Sequence, residues 1–202
     1  MQVLEEALIG IPLTTSHRKV VVVHGLSGVG KTQLVVEFAR KHHHQFSAVF
    51  WLDGSSKTSL EHSFVDMVQR LPPTELTANG AQILSQAAVE AVEADVAVRE
   101  CLQWLSMSLN SHWLLIIDNV DSDYHNHNQD DLPAYDVEYY FPHADHGSIL
   151  ITSRLASLQQ LGSGVQVGAV TEEQGRAILE INARRAVECT RKTLSAERRH
   201  RN

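Results

Sequence analysis

The strongest chemical signal in the sequence is the run Gly25-Leu26-Ser27-Gly28-Val29-Gly30-Lys31-Thr32. Glycines at this spacing let a backbone turn tightly and point successive N–H groups inward. Those amides and the N-terminus of the helix that follows make a cradle for anions. Lys31 is placed to reach the β- and γ-phosphates of a nucleotide, and Thr32 offers a hydroxyl to Mg2+. Gly25, Ser27, Gly28, Val29, Gly30, Lys31, Thr32 and the adjoining Gln33 are the expected contacts to ATP or ADP. No Asn-Lys-x-Asp guanine-reading motif occurs, which disfavours GTP.

A magnesium site also needs a carboxylate at the end of a nearby strand, because a hard cation takes oxygen ligands. Asp118 is the only acid that closes a long apolar run, Trp-Leu-Leu-Ile-Ile at 113–117, and so takes the Walker B position. Arg154 follows a second such run, at the sheet edge where open α/β folds bind ligands, and could contact a γ-phosphate. The expected catalytic set is Lys31, Asp118 and Arg154, with Thr32 and Asp118 holding Mg2+. Each residue has a blander reading: an incidental lysine, a turn-forming aspartate, a surface arginine. Their shared context outweighs those readings.

That context is an alternation of short apolar runs with helical stretches, the pattern of a parallel α/β sheet. Residues 19–24 are β-branched and continuous, as in a strand buried on both faces. Helix is expected over 31–41, with Leu34, Val35 and Phe38 on one face, and strand over 48–52. A second helix should run from 59 to 71 and stop at Pro72-Pro73. Residues 80–110 read as helix in two pieces, 113–117 and 148–152 as strands, and 165–167 as a short fifth strand. Thr171 is placed to cap a further helix. The polar stretch 121–147 is too long for a simple connection. The expected fold is thus a three-layer α/β P-loop nucleoside triphosphatase with a mainly parallel five-stranded sheet. It divides into a lead-in over 1–16, a nucleotide-binding domain over 17–168, and a helical region with a basic tail over 169–202.

The chain has 202 residues and a formal net charge of −7. Residues 184–202 carry +5 of charge, so the remainder carries about −12, which disfavours a nucleic-acid binder. Two cysteines outside any CxxC pair suit a reducing compartment. Glu5 and Glu6 spoil a signal peptide, and no run approaches the ~18 apolar residues of a membrane span. A cytoplasmic placement follows.

Four blocks, VVVVHGLSGVGKTQLVVEFA, FSAVFWLDGSS, HWLLIIDNVD and GSILITSR, occur in an order that resembles the NB-ARC branch of the STAND nucleoside triphosphatases. The tryptophan of VFWLDG, the DNVD, and YYFPHADHGSILITSR look most like fungal members. The resemblance covers about residues 17–181. It implies a sheet with the P-loop strand beside the sensor strand. It also implies a switch that rests with ADP and signals through self-association with ATP, engaging effector or repeat-domain partners. By this resemblance Gly25 to Thr32 hold phosphates, Asp118 serves Mg2+, Arg154 is the sensor arginine, and residues 167–173 enter the helical ARC region.

Asn119 stands where many members carry a second acid that orients water, so slow hydrolysis is expected unless Asp121 substitutes. The upstream glycine-arginine motif is not evident near Ile11-Pro12-Leu13, and the chain stops before the glycine-leucine-proline motif. The expectation is therefore a truncated helical region. Two readings stand beside the switch. One is a turnover ATPase of another P-loop class, disfavoured by Asn119. The other is an interaction fragment that keeps the sheet without nucleotide affinity.

Other features carry less. His125 and His127 with Asp121, Asp123, Asp130 and Asp131 fit no compact metal-ligand spacing. His42-His43-His44 ends a helix, where cations suit the dipole, and Cys101 with Trp104 reads as core.

Overall fold

The valine run Lys19–His24 forms an inner strand, β1, of a computed structural model that describes residues 1–10, 17–78, 80–82, 94–121 and 134–168. Residues 1–167 make one compact unit and 168–202 a second. The ARC-like region and the helix expected from Thr171 lie outside the described residues.

Four further strands, Ala48–Asp53 (β2), Trp113–Asp118 (β3), Ser148–Ser153 (β4) and Ser163–Gln166 (β5), join β1 in the order β2-β3-β4-β1-β5. Every pairing is parallel. All strand C-termini therefore leave from one edge, and β4 separates the P-loop strand from the strand that ends on Asp118. The side-chain period of two then sorts the core. Val22, Leu115, Ile117, Ile149 and Ile151 face one side, and Val21, Val23, Leu114, Ile116 and Leu150 the other.

Helices cover both faces and make three layers. On the second face lie α1 (Gln2–Leu8), through Leu4 and Leu8, and α2 (Lys31–His42), through Val35 and Phe38. On the first lie α3 (Lys57–Val68) and α4 (Ala94–Ser106), including Phe64, Cys101 and Trp104. Burial pushes the Cys101 thiol upward, so it packs as a small apolar group. At the end of α2, His42 is buried and shares Glu5 Oε1 with Lys41, tying α1 to α2.

The helical stretch expected over 80–110 ends at Ser106, and its 83–93 portion lies outside the described residues. Three other boundaries moved for local reasons. Ser56 accepts a hydrogen bond from the Ser59 amide and so starts α3 two residues before the expected point. The end of α3 falls at Val68, after which i+3 bonds at Arg70 and Leu71 tighten the chain ahead of Pro72. The fifth strand begins at Ser163 rather than 165 because backbone pairing with Val21 to His24 defines it. As an edge strand its side chains are mostly exposed, and no apolar run announces it.

The polar stretch between β3 and β4, expected to be too long for a simple connection, holds core residues. Tyr135, Val137, Tyr140 and Phe141 are all buried around a short 3-10 helix, Val137–Tyr140. The 122–133 portion, with His125 and His127, lies outside the described residues, and among those described no group of three ligand-type side chains could hold a metal ion. No described helix is long and apolar enough to cross a membrane.

Candidate functional site

Three strand ends build the site. From β1 the chain passes His24 and enters the glycine loop, whose Gly28 and Gly30 adopt φ of +74° and +95°. An L side chain adopts these left-handed values at a cost, whereas glycine does not. A Cβ added at either glycine would meet nothing within 4 Å, so the room above the loop is open to a ligand. Gly30 is also the N-cap of α2, with no side chain capping its first turn. The orphan amides of that turn are the donors a phosphate needs.

Lys31 Nζ donates to the carbonyls of Gly25 at 2.9 Å and Leu26 at 3.0 Å, folding back over its own loop. Thr32 Oγ1 donates across the sheet edge to Asp118, 3.0 Å from Oδ1 and 3.2 Å from Oδ2. The two expected cation ligands, 86 residues apart in sequence, therefore touch.

Asp118 is 5% exposed and gathers three donors, two hydroxyls and an amide. Thr152 Oγ1 donates to its Oδ1 in a short hydrogen bond, and Asn119 Nδ2 approaches Oδ2 at 3.4 Å. Thr152 sits on β4, fully buried, one strand in from β3. Its hydroxyl also accepts the Asn119 backbone N–H at 2.9 Å. One hydroxyl thus orients the carboxylate and fixes the residue after it, which adopts a φ of 65°. Asparagine tolerates that conformation better than most side chains.

Gly54, after β2, closes the far side. Its N–H donates to the Asp118 carbonyl at 2.7 Å, and its carbonyl accepts Tyr135 Oη at 2.5 Å. A Cβ at Gly54 would come within 2.6 Å of Val120 Cγ2 and 2.9 Å of Ile117 Cγ2. This glycine is required by close approach. Burial pushes the Tyr135 phenol upward, and the carboxylates of Asp53 and Asp121 add to the shift, so it stays a neutral donor.

Arg154 leaves β4 beside Asp121, which accepts its backbone N–H at 2.7 Å and its Nε–H at 2.6 Å. Ser27, Gly28, Gly30, Lys31, Thr32, Gln33, Asn119, Asp121 and Arg154 line one cavity of about 480 Å³. Gly25 and Val29 do not line it. Gly25 instead offers its carbonyl to Lys31. Asp118 lies behind Thr32, reached through that hydroxyl.

Three other cavities are larger, two at the opposite ends of the strands around His17, Arg18 and Lys19 and one beside Arg99 and Tyr139, and none shares a lining residue with this site. The chemistry of the site is that of open amides, a lysine and an arginine facing paired oxygen donors. This donor set fits a polyphosphate with a hard divalent cation.

Thr152, Gly54 and Tyr135 were not singled out from the sequence. A threonine near the end of an otherwise aliphatic strand was the available sign for the first. The glycine ending the VFWLDG block was the sign for the second.

No curated protein matches the sequence. The family model described as the NB-ARC domain matches residues 4–185, and its match begins inside α1 and spans the whole cavity just described. The chain belongs to the NB-ARC domain family of P-loop nucleoside triphosphatases, nucleotide-binding signalling modules.

Proposed function

We propose that this chain binds ATP and ADP together with Mg2+ and works as a nucleotide-state switch with slow hydrolysis at most. The observation that carries the reading is the meeting of Thr32 with Asp118 beside the open loop amides and Lys31. In this reading the loop amides and Gln33 bind phosphate oxygens. Lys31 exchanges two neutral carbonyls for a charged acceptor, which roughly doubles the strength of each bond. Thr32 and Asp118 would hold Mg2+, which when bound offsets phosphate charge.

Asn119 supports slow turnover. Its amide cannot take a proton from water, and its Nδ2 is turned toward Asp118. Asp121 is engaged by Arg154 through both oxygens, which leaves no free base in its place. Membership of the NB-ARC family supports self-association, effector or repeat-domain partners and cytoplasmic placement as parts of the same reading. The fungal affinity rests on the VFWLDG and DNVD blocks.

A thermal-shift titration with ATP and ADP, with and without Mg2+, tests it. Ligand at a hundredfold excess over Kd adds about 2.7 kcal/mol of stability. That raises Tm by roughly 5–10 °C for a domain of this size. Lys31→Ala should abolish the shift while lowering the unliganded Tm by only about 2–4 °C, the loss of its bonds to the Gly25 and Leu26 carbonyls. A wild-type chain that nucleotide does not stabilise would favour an interaction fragment. Steady turnover above ~1 s⁻¹ would favour a true ATPase.

A further inference from the structure

The grip on Arg154 is side-on. Asp121 Oδ2 takes Nε, Oδ1 takes the backbone N–H of the same residue, and among the described residues no protein group bonds either Nη. The guanidinium fork formed by the two Nη groups is the part that matches a phosphate bidentately. It belongs to a side chain that is 57% exposed, yet whose Nε is anchored and which lines the P-loop cavity. A long side chain with that exposure would otherwise sample many rotamers and lose that freedom on binding. The anchor removes part of the loss in advance, as preorganisation does generally.

The carboxylate has a second effect of opposite sign. Asp121 brings negative charge to a cavity suited to anions, and Arg154 cancels it within the pair. Removing the carboxylate would therefore raise the general attraction for any anion, a screened effect that diphosphate and triphosphate share. Only the anchoring effect depends on a terminal phosphate that meets the fork.

We propose that Asp121 is a positioning residue. It holds Arg154 by Nε and the backbone, leaving the fork to meet the terminal phosphate, and so sets how well triphosphate is told from diphosphate. The inference rests on the nucleotide-binding reading above. It also gives Asp121 a different role from that of a substitute for the missing second acid.

The test is calorimetric titration of the whole chain with ADP and with a non-hydrolysable ATP analogue, each with Mg2+. It compares wild type, Asp121→Asn, Arg154→Ala and the double variant. Asp121→Asn should weaken triphosphate binding about three- to tenfold and change diphosphate binding by less than about twofold, as loss of one preorganised charged contact predicts. In the Arg154→Ala background the same change should have an effect below about twofold, because the residues act as one unit. Equal weakening of both nucleotides, a gain in triphosphate over diphosphate, or an undiminished effect without Arg154 would overturn the role of Asp121. A wild-type chain that binds both nucleotides, with an unaltered ratio in Asp121→Asn, overturns this role alone. A wild-type chain that binds neither overturns the nucleotide reading and this inference with it.

Discussion

The two sides of the cavity are built on different principles. On the P-loop side the working groups are backbone amides and one lysine, and Ser27, Gly28, Gly30, Thr32 and Gln33 are exposed. On the β3–β4 side the working groups are side chains, and Asp118, Thr152 and Ser153 are buried. Gly30 and Gly54 make the contrast concrete. Both positions exclude a Cβ, Gly30 by its backbone conformation with free space around it, Gly54 by the packed side chains against it. The P-loop side is shaped to receive something, whereas the β3–β4 side, the Arg154 fork apart, is already filled by its own partners. Changes on the first side should therefore register mainly in binding, and changes on the second in folding and binding together.

The largest effect is expected at Gly54→Ala. Its methyl must displace Val120 and Ile117, an overpacking that costs about 1–3 kcal/mol. For a domain of this size that lowers Tm by about 2–4 °C per kcal/mol. Gly30→Ala carries only the conformational cost, about 1 kcal/mol, and should instead remove most of the nucleotide-dependent stabilisation. Urea denaturation with and without Mg2+-ADP measures both. Equal losses of unliganded stability in the two variants would break the distinction between the sides.

Thr152→Val comes next. It keeps the shape of the side chain but leaves Asp118 Oδ1 and the Asn119 amide without their shared hydroxyl. Asp118 Oδ1 keeps Thr32 Oγ1 while the part-buried Asn119 N–H loses its partner, so the cost is about 1 kcal/mol. Because the hydroxyl also orients the carboxylate, the Mg2+-dependent part of nucleotide binding should fall in parallel. A Thr152→Ser variant should restore both. Loss of stability with Mg2+ dependence intact would confine Thr152 to the fold.

The smallest effect lies away from the cavity, where Glu5 ties α1 to the end of α2. The hydrogen bond from Lys41, then that from His42, holds the Glu5 carboxyl below its ordinary value of 4.5. A carboxylate whose pKa falls on folding stabilises above its unfolded value and loses that contribution as pH drops through its folded value. Glu5→Gln should thus lower Tm slightly at neutrality, where the carboxylate contributes fully, and flatten the acid limb of a Tm-against-pH curve below about pH 4.5, where wild type and variant converge. An unchanged acid limb would show that Leu4 and Leu8 alone seat the helix.

The sequence was most legible where function and fold depend on local pattern. The glycine spacing at 25, 28 and 30, the β-branched run before it and the aliphatic runs ending at Asp118 and Ser153 each state their own conformation. Buried parallel strands have no polar face to confuse the reading, and the P-loop is a contiguous motif. Four strands accordingly lie within a residue of their expected bounds. The fifth shifted because an edge strand is specified by its neighbour's backbone. Residues 134–141 joined the core unannounced because Tyr135, Val137, Tyr140 and Phe141 span too few residues for a period to stand out within a polar stretch.

What the sequence determined alone is therefore the P-loop, the strand-and-helix alternation and the acid that ends β3. The tertiary structure decided which partners those residues have. Placing β4 between β1 and β3 puts Thr152 against Asp118, brings Thr32 across 86 residues to the same carboxylate, and sets Asp121 on Arg154. None of these contacts has a sequence period, because strand order in a parallel sheet is chosen by how crossovers pack on its two faces. Spacing along the chain carries information about neighbours within one element, whereas the order of the strands governs which elements meet.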